Sequence, residues 1–176
     1  MLKRLAVAIA ILASLSAVAS AHGPSRQKVT ETIEINAPLD KVWAVVGNFQ
    51  DMSWHPAVAK TEGKGGNDAN ATRTLTLKSG GTIDEQLDRY DADEHSYSYE
   101  ITKVDVKVLP VNDYSSRISV TADGDKSIVE WHGAFYRGYM LNDPPPELND
   151  EVAVNAVTGI YKDGLAALKK KIEGGS

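Results

Sequence analysis

Cysteine does not occur in this chain, and its absence removes several chemistries at once. There can be no thiolate nucleophile, no Cys-ligated zinc or iron–sulfur site, no C-x-x-C-H haem attachment and no disulfide. Histidine is almost as scarce. His22, His55, His95 and His132 are scattered without a close pair, so no metal site is expected. Cleavage before His22 would expose an N-terminal copper chelate, but no second histidine sits evidently on a fixed scaffold beside it. No G-x-S-x-G elbow, phosphate-binding loop or dinucleotide fingerprint is present. Positive charge is in deficit, with 19 Lys and Arg against 24 Asp and Glu and a formal net charge of −5. That balance disfavours nucleic acid and anionic lipid as partners and suits a basic protein surface or a neutral ligand. After residue 21 no apolar run is long enough to span a bilayer.

What is present begins with an export signal. Lys3 and Arg4 precede an apolar stretch over residues 5–18, interrupted by Ser14 and Ser16. Ala19-Ser20-Ala21 supplies small residues where a signal peptidase acts, so cleavage after Ala21 is expected. The stretch is short for a membrane anchor. A single Arg before it indicates the general secretory route, and without Cys there is no lipoprotein anchor. The expected organisation is a cleaved signal over residues 1–21 and one domain over residues 22–176, working in the periplasm.

Within that domain, β-branched alternation over residues 28–35 predicts a strand, with Glu31 breaking its apolar face. Val42, Trp43, Val45, Val46 and Phe49 follow helical spacing, which predicts a helix over residues 38–47. Residues 51–56 read as a second short helical or turn segment. Strands and turns follow to residue 136. Residues 72–77 and 82–88 flank Ser79-Gly80-Gly81, and residues 114–121 and 127–136 flank Ala122-Asp123-Gly124-Asp125, two hairpin signals. A further strand covers residues 96–108 with a break near Lys103. Residues 138–149 contain Pro144-Pro145-Pro146 and form an irregular connection. Asn149 or Asp150 then caps a long helix to Ile172, whose apolar face carries Val154, Val157, Ile160 or Tyr161, Leu165, Leu168 and Ile172. The expected fold is α+β: a curved antiparallel sheet wrapped around one long C-terminal helix, with two short helices after the first strand. A cavity between sheet and helix is the default site.

Many segments agree in order and spacing with a known superfamily. They are Val42-Trp43-Ala44-Val45-Val46-Gly47-Asn48-Phe49, Trp54-His55-Pro56, Arg73-Thr74-Leu75-Thr76-Leu77, Tyr97-Ser98-Tyr99 and Leu109-Pro110-Val111. Val129-Glu130-Trp131, Phe135-Tyr136-Arg137-Gly138, Leu148-Asn149-Asp150-Glu151, Gly164-Leu165 and Leu168-Lys169 continue the pattern. On these residues the chain resembles the SRPBCC superfamily, the START/Bet v 1-like helix-grip proteins that include polyketide cyclase-like members. Within it the chain is similar to MxaD-type proteins of methanol oxidation. The resemblance implies a periplasmic protein without a prosthetic group that assists electron transfer from a quinone-dependent methanol dehydrogenase to its c-type cytochrome. Other branches bind lipids or polyketides, and a few catalyse cyclisation, so fold alone leaves function open.

Alternation also says which side chains face the closing helix. Arg73, Leu75 and Leu77 share a face, as do Ile83, Glu85 and Leu87; Tyr97, Tyr99 and Ile101 form another set, and Val129, Trp131 and Phe135 the last. Two inward charges need each other or a polar ligand group, because an unpaired buried charge is costly. Arg73 and Glu85 are therefore either a structural ion pair or groups that orient a small ligand. Trp54, Arg73, Glu85, Tyr97, Tyr99, Trp131 and Phe135 are the expected cavity residues. His55 and Tyr139 are the candidate partner contacts, and Trp54 with the loop over residues 139–146 could supply the contact surface; His55 also reads as a proton donor, or as a packed or exposed loop histidine. Trp43 and Trp131 also read as core. Glu130 and His132 flank Trp131 and should point to solvent, which removes them as an acid–base pair. No catalytic residue and no cofactor is expected. The expected function is a non-enzymatic accessory protein of redox partners; the alternatives are a carrier or sensor of a small hydrophobic ligand and, third, a cyclase-like enzyme.

Overall fold

The computed structural model describes residues 23–174. The expected signal over residues 1–21, and His22, lie outside the described residues.

Seven strands form one antiparallel sheet in the order β1-β7-β6-β5-β4-β3-β2. They are β1 (Gln27–Ile35), β2 (Val58–Lys64), β3 (Thr72–Leu77), β4 (Thr82–Asp91), β5 (Ser96–Val104), β6 (Val111–Asp123) and β7 (Lys126–Arg137). Helix α1 (Leu39–Val46) and the turns after it carry the chain from the β1 edge to the β2 edge. From there the strands return as a meander until β7 pairs with β1. Register shifts lie between Val58 and Lys60, Asp84 and Glu85, Leu87 and Arg89, and Asn112 and Ser115. Such bulges bend strands, which curves the sheet. β5 pairs with β6 only over Ser96–Glu100, and the Asp105–Leu109 turn closes the end where the two diverge.

Helix α2 (Asp150–Gly174) fills the concave face. Asn149 caps it by accepting from the Val152 N–H at 2.9 Å. Its buried face is Ala153, Val157, Tyr161, Gly164, Leu165, Leu168 and Ile172. The choice between Ile160 and Tyr161 thus falls to Tyr161, with Ile160 and Val154 half-buried. Trp43 on α1 is half-buried, packed 5.6 Å from the Tyr90 ring. Among the described residues, no helix is long and apolar enough to cross a membrane.

The expected helix-grip architecture is present, with one correction. Residues 51–57 form consecutive turns rather than a second helix: His55 N–H donates to Met52 O and Val58 N–H to His55 O. Two local features stop a helix there. Asp51 Oδ1 takes the Ser53 N–H at 2.7 Å, and Pro56 has no N–H to give. The run over residues 96–108 breaks where expected, near Lys103: β5 ends at Val104, and a turn follows to Leu109. The irregular connection contains one short 3-10 turn, Pro146–Leu148.

Candidate functional site

A cavity of about 200 Å³ lies between the sheet and α2. Its walls are mostly apolar, with Met52, Leu75, Ile83, Ile101, Leu109 and Val157 prominent. The exposed Ala57 and Ser79, beside half-buried Val108 and Ile160, mark its mouth. The β3–β4 turn at that mouth depends on glycine: Gly81 has φ +83°, and a Cβ there would sit 2.5 Å from Val108 Cγ2.

Strand alternation places the inward residues as the sequence indicated. Arg73, Leu75, Ile83, Glu85, Leu87, Tyr97, Tyr99, Val129, Trp131 and Phe135 are all buried, while Glu130 is exposed and His132 half-exposed. Only some of the expected cavity residues reach the cavity, however. Glu85, Tyr99 and Trp131 line it. Arg73, Tyr97, Trp54 and Phe135 lie behind that surface. Phe135 stacks on Tyr114 at 6.0 Å, and Trp54 packs against Trp131 at 5.7 Å. Tyr97 stands edge-on to Phe49 at 6.0 Å. These four support the wall instead of forming it.

Arg73 and Glu85 bond each other. Arg73 Nε donates to Glu85 Oε2 at 2.5 Å, and Nη1 donates to Phe49 O at 2.7 Å. The guanidinium carbon lies 4.2 Å from the Phe49 ring centre and 5.0 Å from that of Tyr99, so the cation is held between aromatic faces. Burial opposes the charge on Arg73, but Glu85 and the neighbouring tyrosines outweigh it and hold the guanidinium above its ordinary pKa. Burial pushes the Glu85 carboxyl up, and Arg73 resists that push. The structural reading of the pair is the one its geometry matches.

His55 is not a surface residue. It is 3% exposed and lines the cavity, which corrects its expected role as a partner contact. Nδ1 accepts the Ala57 N–H at 3.2 Å, which makes Nε2 the protonated nitrogen, donating to Ile160 O on α2 at 3.0 Å. Burial lowers its pKa, only partly offset by the Ile160 carbonyl, so the ring is neutral at neutral pH. Gly164 makes this approach possible: a Cβ there would lie 2.5 Å from His55 Cδ2 and 2.9 Å from Trp131 Cζ3. Tyr139, the other expected contact, is half-buried.

Sequence reasoning missed a buried hydroxyl cluster. Tyr114 and Tyr161 line the cavity, and their hydroxyls are 2.5 Å apart. Ser116 Oγ lies 3.1 Å from Tyr161 Oη and accepts from Trp131 Nε1 at 2.9 Å. Burial pushes the Tyr99, Tyr114 and Tyr161 hydroxyls above the ordinary phenol range, so all three stay protonated at physiological pH. The available signal was Gly133, whose Cβ would fall 2.1 Å from Tyr161 Oη. Among the described residues no group of three or more metal-ligating side chains assembles.

A mostly apolar cavity with few polar groups is the arrangement of small-molecule binding proteins. Residues 26–173 match the family described as polyketide cyclase / dehydrase and lipid transport. The chain belongs to that family. Among solved structures it is similar to XoxI of Bacillus cereus, at 32% identity over 83% of this chain and 95% of that one, with a TM-score of 0.70. A Bacillus thuringiensis protein is 31% identical over 84% of this chain and 99% of the other, with a TM-score of 0.69. Norcoclaurine synthase from Thalictrum flavum, solved with dopamine and hydroxybenzaldehyde, shares the fold at 14% identity, with a TM-score of 0.62 over 100% of this chain and 99% of the synthase. No curated protein sequence matches the chain.

Proposed function

We propose that this family member is a non-enzymatic carrier or sensor of a small hydrophobic ligand, held in the cavity between the sheet and α2. The observation that carries this is the cavity itself: about 200 Å³, apolar on most sides, with its polar groups confined to neutral hydroxyls, a neutral histidine and a matched ion pair. It exceeds the ~150 Å³ apolar cavity known to bind benzene, so a ligand of about one or two rings fits. A non-enzymatic role is supported by how the titratable groups are spent. Glu85 is bonded to Arg73, and both His55 nitrogens are bonded to backbone.

Leu77→Trp, at a half-buried lining position, should fill the cavity and weaken binding of 2-acetylnaphthalene by more than tenfold in calorimetric titration. Native mass spectrometry of the wild-type protein from its own cells should find a small molecule that the variant lacks. An empty wild-type protein that also fails to bind neutral aromatic probes saturably would overturn the proposal.

A second reading, of the MxaD type, adds a protein partner in the periplasm. Its support is the motif resemblance, the likeness to XoxI and one surface feature. Met140 and Leu141 are 40% and 67% exposed. Arg137 pins the backbone beneath them, donating to Tyr139 O at 2.8 Å and Leu141 O at 2.9 Å, with Asp150 at 3.2 Å. Apolar side chains on a fixed loop suit docking. Pull-down from periplasmic extract of methanol-grown cells should recover a quinone-dependent methanol dehydrogenase or its c-type cytochrome, and Leu141→Ser should reduce the yield several-fold. Recovery of neither protein by the wild type would remove this reading and leave the carrier reading standing.

A further inference from the structure

The protons on the cavity's hydroxyl cluster can be assigned one by one. Ser116 Oγ lies 2.8 Å from the His132 carbonyl oxygen, which can only accept, so the serine proton is spent there. Ser116 Oγ must then accept from Tyr161, 3.1 Å away, as it does from Trp131 Nε1 at 2.9 Å. With its proton directed to Ser116, Tyr161 Oη must accept from Tyr114 at 2.5 Å. Trp131 Nε1 has no lone pair to offer and also points at Tyr99 Oη, 3.1 Å away, so Tyr99 is the acceptor in that contact. Ser116, Tyr161, Tyr114 and Trp131 have each committed their proton. Tyr99 has not: among the described residues, no bond uses its O–H as a donor. Tyr99 is 1% exposed and lines the cavity.

A buried donor without an acceptor is costly, and a ligand oxygen placed beside Tyr99 would relieve that cost. The charges nearby constrain what carries the oxygen. Glu85 lines the cavity while Arg73 stands behind it, so an anionic ligand would meet the carboxylate before the guanidinium. His55 offers no free proton, because Nε2–H is bonded to Ile160 O and Nδ1 accepts from Ala57. We propose that the cavity selects neutral carbonyl compounds, with Tyr99 Oη–H donating to the carbonyl oxygen and the apolar body lying against Leu75, Ile83, Ile101 and Val157. This rests on the reading that the cavity holds a ligand.

Three probes of one shape test it on the wild-type protein by calorimetry: 2-acetylnaphthalene, 2-ethylnaphthalene and 2-naphthoate. The ketone should bind at least tenfold more tightly than the hydrocarbon, and the carboxylate more weakly than both. Tyr99→Phe should abolish the preference for the ketone over 2-ethylnaphthalene. As a check that needs no variant, the carbonyl stretch of bound 2-acetylnaphthalene should move to lower wavenumber than in hexane. Equal affinity for ketone and hydrocarbon, tighter binding of the carboxylate, an unshifted carbonyl band, or a preference that survives Tyr99→Phe would each overturn the proposal while leaving the ligand-carrier reading intact. Failure of all three probes to bind would overturn this proposal, and would overturn the ligand-carrier reading as well if native mass spectrometry also finds the wild-type protein empty.

Discussion

Arg73→Met should destabilise the protein by about 3–5 kcal/mol, because it strands the Glu85 carboxylate in the interior without its cation. Side-chain exposure is 0% for Arg73 and 5% for Glu85, so water cannot replace the lost partner. The variant also leaves Phe49 O without the Nη1 donor. Arg73→Met/Glu85→Leu should recover most of the loss, since desolvating both charges offsets much of their mutual attraction. Urea unfolding at pH 7 measures both, and a single-variant cost below about 1 kcal/mol would contradict this account. The pH dependence adds an independent sign. Burial already raises the Glu85 carboxyl, and Arg73 is what resists that rise. Without Arg73 the folded pKa should climb further above the unfolded value. Glu85 then binds its proton more tightly in the folded protein than in the unfolded chain, so its contribution to stability is fully present at low pH and lost as pH rises through the folded value. The Arg73→Met penalty should therefore shrink between pH 7 and pH 5, whereas repeating the pair of measurements on Arg73→Met/Glu85→Leu should show no such change.

The inward face of this site could be read from the sequence because strand alternation is local. Arg73 and Glu85 each fall two residues from an apolar neighbour, and the observed register sets them directly opposite one another on β3 and β4. The helix-capping role of Asn149 and the glycine-marked turns are equally local, and they too appear where expected. His55 shows where local reasoning stops. Its neighbours Trp54 and Pro56 make a turn, and nothing in a turn says which way an imidazole points. The direction is set by Gly164, distant in sequence, which leaves room on α2 for the ring to reach Ile160 O. The hydroxyl cluster is hidden for the same reason. Tyr114, Ser116 and Trp131 come from β6 and β7, but Tyr161 comes from α2, and helical periodicity alone left Ile160 as an alternative to it. Alternation turns Tyr97 and Phe135 inward and both are buried, yet facing the core is a weaker condition than reaching a cavity within it. Of the helical and turn readings of residues 51–56, the turn is the one realised, because the Asp51 side chain competes for a backbone N–H.

The long-range fit between β7 and α2 is strict enough to predict a second large effect, from adding one methyl group. A Cβ at Gly133 would lie 2.1 Å from Tyr161 Oη and 3.2 Å from Cζ. Such an overlap would be harmless if the tyrosine could swing away, but its ring is stacked on Trp131 at 4.4 Å with planes 13° apart. Its hydroxyl is bonded to Tyr114 and Ser116, and the residue is 0% exposed. Gly133 cannot retreat either, because it pairs with Val29 on one side and Ser116 on the other. Gly133→Ala must therefore push α2 off the sheet or break the hydroxyl cluster. Overpacking costs about 1–3 kcal/mol and a stranded buried hydroxyl about as much again, so the expected loss is about 3–5 kcal/mol. For a domain of this size that corresponds to a fall in Tm of roughly 6–20 °C. Tyr161→Phe alone should cost less, about 1–3 kcal/mol, through the unpaired Tyr114 and Ser116 groups. Combining the two removes the oxygen that the new methyl meets, so Gly133→Ala/Tyr161→Phe should be more stable than Gly133→Ala despite having lost more bonds. That inversion is the measurement to make, by urea unfolding of all four proteins in a double-mutant cycle. If the two losses simply add, the overlap with Tyr161 Oη is not what fixes α2 against β7.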